Sequence, residues 1–252
     1  MTRLRGALLG ALLLTAVPLP AGAADGPLAG SVIVVDPGHQ LGNSNPAFSS
    51  QMRQTRFNGT IVKSCNTTGT ATNQGLPEAT FTWRVSQQLK KLLEAQGARV
   101  ELTRTSNSRN AWGPCVWDRG GFSAKIGGKL FVSVHGDGAP AKGRGFHVIA
   151  PGRIKGWTDD IAAGSQVLAR SMIQGMEQAG ATPTTYLSSP LSVRRDQSTL
   201  NFNSVPAVIV ELGNMRNARD AAQMSSAVGV QQYAQQLAAG ISRYCAVRSR
   251  CR

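Results

Sequence analysis

Three short runs of continuous apolar, mostly β-branched residues constrain this chain more than any other feature: 31–36 (SVIVVD), 129–134 (KLFVSV) and 205–210 (VPAVIV). Each predicts a strand buried on both faces, as in a parallel sheet covered by helices on either side. Helical periods lie between them. Pro77 and Glu78 open a segment in which Phe81, Val85, Leu89, Leu92 and Leu93 recur at helical spacing, and Gly97 closes it. Residues 99–104 (RVELTR) alternate as a strand, so the first strand, a long loop, this helix and 99–104 predict a right-handed crossover with parallel strands.

Further along, 118–126 predicts a short helix and 145–150 (GFHVIA) a strand. Residues 159–178 predict a helix with Ile161, Leu168, Met172 and Met176 on one face, and 220–244 a last helix bearing Val228, Leu237 and Ile241. The expected fold is a single three-layer α/β domain, with a mainly parallel twisted sheet of about six strands and helices on both faces. A chain of 252 residues suits one such domain.

Residues 1–23 read as a signal peptide: Arg3 and Arg5 precede an apolar stretch from 7 to 17, and Ala21-Gly22-Ala23 forms a small-residue cleavage site. The stretch is too short to span a bilayer, which takes about 20 apolar residues, so no stable membrane insertion is expected. The mature domain is then 24–252, exported to the periplasm or secreted to the cell wall. An inserted loop at about 43–75, rich in Asn, Ser, Thr and Gln, exceeds an ordinary connection. It is either a wall of a binding cleft or a tolerated surface elaboration.

An even number of cysteines in an exported chain favours disulfides. Cys65, Cys115, Cys245 and Cys251 allow three pairings. Cys245 and Cys251 are close enough for a local bridge if the last helix ends near Cys245, which leaves Cys65 with Cys115. The formal net charge of +14 favours a polyanionic partner such as an acidic wall polymer. Nucleic acid is not expected, because aromatic residues make up only 6% and no recognised binding module is present. A G-x-S-x-G elbow and a P-loop are both missing, which argues against serine hydrolysis and nucleotide binding.

In open α/β sheets ligands bind beyond the carboxyl ends of the strands. SVIVVD is followed by Pro37-Gly38-His39, LFVSV by His135-Gly136-Asp137-Gly138, and AVIV by Glu211-Leu212-Gly213-Asn214. Two of three histidines and a carboxylate would thus share one rim, and Glu78 reaches it if its helix packs across. Two imidazoles and one carboxylate leave a fourth position open, which is how catalytic zinc is held. His39, Glu78 and His135 are the candidate ligands and Glu211 the candidate general base, although spacing alone leaves the division between the two glutamates open. Taken singly, Glu78 is also explained as a carboxylate favoured by the helix dipole. Glu211, directly behind a buried run, is costly unless paired or metal-bound. His147, inside a strand, is given no role.

The blocks VVDPGH at 34–39, the helix-opening Glu78, LTR at 102–104, FVSVHGDG at 131–138 and PAVIVELGNMRN at 206–217 together resemble the signature of zinc-dependent N-acetylmuramoyl-L-alanine amidases. The resemblance spans about residues 31 to 243. It implies one catalytic Zn2+ held by His39, Glu78 and His135, with Glu211 catalytic. It also implies hydrolysis, by a zinc-activated water, of the amide joining N-acetylmuramic acid to L-alanine of the stem peptide. Peptidoglycan or a muropeptide is the expected partner, and a monomer the expected state. This chain departs from the family pattern in the long interval between His39 and Glu78 and in Gln40, where glycine is usual. The segment 193–196 resembles a family position near the cleft, so Arg195 is a candidate to hold a stem carboxylate. Asn214 either orients substrate or caps the turn that follows it. Two other readings are an exported, non-catalytic wall-binding protein and a zinc peptidase acting within stem peptides.

Overall fold

The computed structural model describes residues 26–247 and 250–252, so the expected signal peptide at 1–23 lies outside the described residues. In chain order come β1 (Val32–Pro37), the short helix α1 (Ser49–Met52), β2 (Thr55–Phe57), β3 (Val62–Ser64), α2 (Glu78–Glu94) and β4 (Arg99–Leu102). These are followed by α3 (Val116–Gly120), α4 (Phe122–Ile126), β5 (Leu130–Asp137), β6 (His147–Pro151), α5 (Ala162–Gln178) and β7 (Leu191–Arg194). The chain closes with α6 (Ser198–Asn201), β8 (Ala207–Asn214), α7 (Ala218–Ser225) and α8 (Ala227–Cys245).

Six strands form one sheet in the order β4-β1-β5-β8-β6-β7, and β2 pairs with β3 in a separate hairpin. Strands β4, β1, β5 and β8 run parallel, β6 runs antiparallel to β8, and β7 follows β6 in parallel. The apolar runs are buried on both faces because successive side chains point to opposite sides. Ile33, Val35, Val132, Val134, Val208 and Val210 join the large core under α2, α5 and α8. Their neighbours Val34, Phe131, Ala207 and Ile209 join a smaller core with Leu200 of α6 and the partly buried Phe122 and Ile126 of α4.

Several local expectations are corrected. The helix expected at 118–126 is two short helices meeting at Gly121. The helix expected at 220–244 is also two, because the Ser226 side chain accepts from Gly229 N and starts α8 anew. Val228 is 68% exposed rather than in the core. The buried apolar side chains of α8 begin at Val230, beside buried Gly229, and a residue two positions before Val230 lies on the far side of the helix. Strand β7 is not among the expected strands; it is a half-exposed edge strand whose few apolar residues leave little period in the sequence. The loop at 43–75 is not featureless; it carries α1 and the β2–β3 hairpin, whose outward-facing residues lack a core period. Both disulfides join as expected, Cys65 with Cys115 and Cys245 with Cys251.

Candidate metal centre

Strand β1 ends in Pro37-Gly38-His39, and His39 takes φ 59°, a left-handed conformation uncommon for a residue with a side chain. Its Nδ1 lies 3.0 Å from the Thr67 carbonyl, which makes Nδ1 the donor and leaves Nε2 as the free nitrogen. That Nε2 faces Glu78 Oε2 at 3.1 Å. His135, near the end of β5, places Nδ1 2.9 Å from Glu78 Oε1. The two imidazoles stand nearly perpendicular, with ring centroids 4.9 Å apart.

Glu78 opens α2, which packs on β1 and β5 and so brings the carboxylate to the rim. It is 3% exposed and accepts backbone N–H bonds from Thr70 at 2.9 Å and Gly136 at 3.1 Å. Burial by itself raises its pKa, but His39 and His135 outweigh burial and hold the carboxyl well below the usual carboxylate range. Burial likewise disfavours the His39 cation, yet the Glu78 charge beside it wins and raises the imidazole pKa. Gly69 shapes the pocket: at φ +76° it lies so close that a Cβ there would sit 2.6 Å from Glu78 Oε2 and 2.8 Å from His39 Cδ2.

One ligand-type atom from each of His39, Glu78 and His135 lies within 4.8 Å of the others. Among the described residues this is the one such group of three His, Cys, Asp or Glu side chains. Two neutral-capable nitrogens and a carboxylate held in its charged form fit a divalent cation, and the set leaves room for a further ligand.

Glu211 continues the run of β8 and is the register partner of His135 on β5 and of His147 on β6. Its Oε2 is buried with no hydrogen-bond partner among the described residues. Burial, then the Glu78 and Asp137 carboxylates, push its pKa well above the ordinary range, with Arg194 offsetting part of this. A cavity of about 470 Å³ opens from His39, His135 and Glu211 toward Lys63, Ser64, Asn66 and Thr67 of the insertion and Gln197, Ser198 and Thr199 opposite. The insertion is therefore a wall of the cleft. Its hairpin is tied across by buried Asn58, whose Nδ2 donates to the Asp196 carbonyl and to Ser198 Oγ.

Two expected residues do not face this cavity. Arg195 is exposed and outside the lining, and its carbonyl accepts bonds from Thr60 Oγ1 and Asn201 Nδ2. Asn214 is fully buried; its Nδ2 donates to the Pro140 and Gly143 carbonyls at 2.9 and 2.8 Å, and its Oδ1 accepts from Arg216 N. It serves the turns around it. Conversely, Lys63, Asn66 and Thr67 line the cavity although nothing in the loop's composition singled them out. His147 also sits at the rim, where Tyr186 Oη lies 3.4 Å from its Nδ1 and donates to Asp137 Oδ2 at 2.8 Å. Only the antiparallel direction of β6, which its residues do not encode, brings it beside Glu211.

A family model described as N-acetylmuramoyl-L-alanine amidase (Amidase_3) matches residues 33–243. The chain is 38% identical over 251 residues to N-acetylmuramoyl-L-alanine amidase Rv3717 of Mycobacterium tuberculosis, covering 97% of this chain and all of that one. The apo crystal structure of the N-acetylmuramyl-L-alanine amidase Ami1 from Mycobacterium abscessus superposes with a TM-score of 0.78 at 37% identity, covering 85% of this chain and 98% of that one. Ami1 from Mycobacterium smegmatis gives 0.78 at 34% identity, covering 86% and 97%.

Proposed function

Because this chain belongs to the N-acetylmuramoyl-L-alanine amidase family, we propose that it is an exported, zinc-dependent hydrolase of the amide between N-acetylmuramic acid and L-alanine of peptidoglycan stem peptides. The observation that carries this reading is the meeting of His39, Glu78 and His135 at one end of a cleft that also holds the unpartnered Glu211 carboxyl. His39, through Nε2, with His135 and Glu78 would hold the ion. Zinc bound there supplies Lewis acidity toward the scissile carbonyl and brings the pKa of water toward neutrality.

The chain's own residues supply the rest. The Thr67 carbonyl fixes the His39 tautomer and ring orientation. Glu211 takes a proton from the attacking water and returns it to the L-alanine nitrogen as the C–N bond breaks. A carboxyl whose burial and acidic neighbours raise its pKa above the ordinary carboxylate range is a better proton acceptor and holds the proton until it is returned. The stem peptide or the sugar lies between the insertion and the Gln197–Thr199 wall. Export is supported by the features of residues 1–23, and the excess of Lys and Arg, 27 against 13 acidic residues, suits retention on an anionic wall. No helix among the described residues is long and apolar enough to cross a membrane.

The test is to digest purified peptidoglycan with the mature protein, with and without a chelator, and to identify products by mass. Stem peptides with a free L-alanine amine, lost on chelation and restored by zinc, are expected. Cuts within the stem would replace the amidase reading with a peptidase one. Products insensitive to chelation would remove zinc.

A further inference from the structure

Beneath the His39 loop lie two arginines sealed from solvent: Arg119 is 1% exposed and Arg104 4%. A buried guanidinium is expensive unless its donors are used, so the destinations of those donors are informative. Arg119 Nη1 contacts Asp36 Oδ1 and the Pro37 carbonyl, both at 2.8 Å, and Nη2 donates to the His39 carbonyl at 2.7 Å. Arg104 Nε donates to the Pro37 carbonyl at 2.9 Å, Nη2 to the Ala79 carbonyl at 2.8 Å, and Nη1 to Gln40 Oε1 at 3.2 Å. Asp36 forms the buried ion pair with Arg119 and also accepts from Ser133 Oγ at 2.6 Å and from Thr103 Oγ1. Arg104 has no carboxylate partner among the described residues and is met by carbonyl and amide oxygens instead.

Those oxygens are placed in a telling way. Pro37 ends β1 just before the loop that carries His39 and Gln40, and Ala79 directly follows Glu78 in the first turn of α2. Thr82 Oγ1 adds a bond from α2 to the Gly38 carbonyl at 2.8 Å. The left-handed conformation of His39 needs such support, since its carbonyl would otherwise be free to rotate away.

We propose that Arg104 and Arg119 are positioning residues for the metal: together they clamp the His39 loop to the first turn of α2, so that His39 and Glu78 present their donor atoms at a set separation before a cation arrives. This rests on the reading of His39, Glu78 and His135 as ligands. Neither arginine touches substrate or ion; Arg119 acts through the His39 carbonyl, and Arg104 through the Pro37 and Ala79 carbonyls that flank the ligands. A merely structural pair would lower stability and leave cation affinity alone, whereas a clamp makes affinity depend on it.

The test uses the mature protein and zinc itself, with the dissociation constant taken from competition with a chromophoric chelator. Cobalt absorption then reports ligand geometry. Arg104→Met leaves the Asp36–Arg119 pair intact, and the double variant Asp36→Asn/Arg119→Met removes that pair as a unit. Met172→Ala, in the distant core between α5 and α8, is the control for lost stability alone. The clamp predicts zinc binding weakened by about 10–100-fold in both arginine variants with an altered cobalt spectrum, while Met172→Ala melts lower and binds zinc as the parent does. If the double variant does not fold, Arg104→Met decides alone. Folded Arg104→Met with parental zinc affinity and cobalt spectrum would overturn the clamp and leave the ligand assignment standing. A parent protein that takes up no zinc would overturn the ligand assignment itself, and the clamp with it.

Discussion

Glu211 of β8 lies directly across from His135 of β5 in the parallel register, one strand away from the His39–Glu78 pair, and one of its oxygens is buried without a partner. A sheet would not ordinarily keep a bare carboxyl at that place. Its position beside a candidate ligand, at the end of an open cavity, is what the proposed role of proton carrier rests on.

Replacing Glu211 with Gln should therefore lower turnover of a muropeptide by about 10²–10⁴-fold, the usual contribution of a general base. The melting temperature should hold or rise, because the variant no longer buries an ionisable group lacking a partner. Turnover within tenfold of the parent would exclude Glu211 from proton transfer.

Gly69→Ala should damage the site more than the fold. The left-handed backbone at Gly69 costs a non-glycine residue about 1 kcal/mol, measurable by urea unfolding. The added methyl would also press on Glu78 Oε2 and His39 Cδ2, so zinc affinity and activity should fall well beyond what that small destabilisation explains. Calorimetric titration with zinc separates the two effects.

Removing the Cys65–Cys115 bridge in a Cys65→Ser/Cys115→Ser double variant should cost about 2–4 kcal/mol, since the bridge closes a long loop across a sequence separation of 50. Cys65 sits between Ser64 and Asn66 in the cleft wall, so KM should rise more than kcat falls. Equal stability and unchanged KM would show that hydrogen bonds such as those of Asn58 hold the wall unaided.

Asp36 sets an acid limit. Burial by itself would raise its pKa, but Arg119, Ser133 and Thr103 outweigh burial and hold the carboxyl below its ordinary value. A folded pKa below the unfolded one means that the unfolded chain binds more protons in acid. The Asp36 contribution is therefore complete above about pH 5 and drains away as the pH falls through the unfolded and then the folded value. Asp36→Asn should lose about 3–5 kcal/mol near neutrality, because Arg119 is left buried without its partner. It should also show a shallower loss of stability between pH 5 and about pH 2, read from urea midpoints.

The apolar runs at 31–36, 129–134 and 205–210, and the period through Phe81, Val85 and Leu89, were enough to predict a mostly parallel sheet and the helix that carries Glu78. Burial on both faces leaves a local mark in the residues themselves, and strand ends then point to where His39, His135 and Glu211 gather. The cysteine pairs were legible too, because chain length between Cys245 and Cys251 limits the choices.

Strand direction, the partners of polar loop residues and the destinations of buried donors are relations between distant segments, and no local period records them. The antiparallel β6 that sets His147 beside Glu211 is one case. Asn214 spent on the Pro140 and Gly143 carbonyls, and Lys63 and Thr67 turned into the cleft, are others. Arg119 looks like an ordinary surface charge in a basic chain and Arg104 is marked only as the end of the LTR block, and only packing made them the buried frame of the His39 loop. Hydrophobic pattern acts residue by residue along the backbone, whereas a hydrogen bond is defined only once both of its ends have been brought together in space.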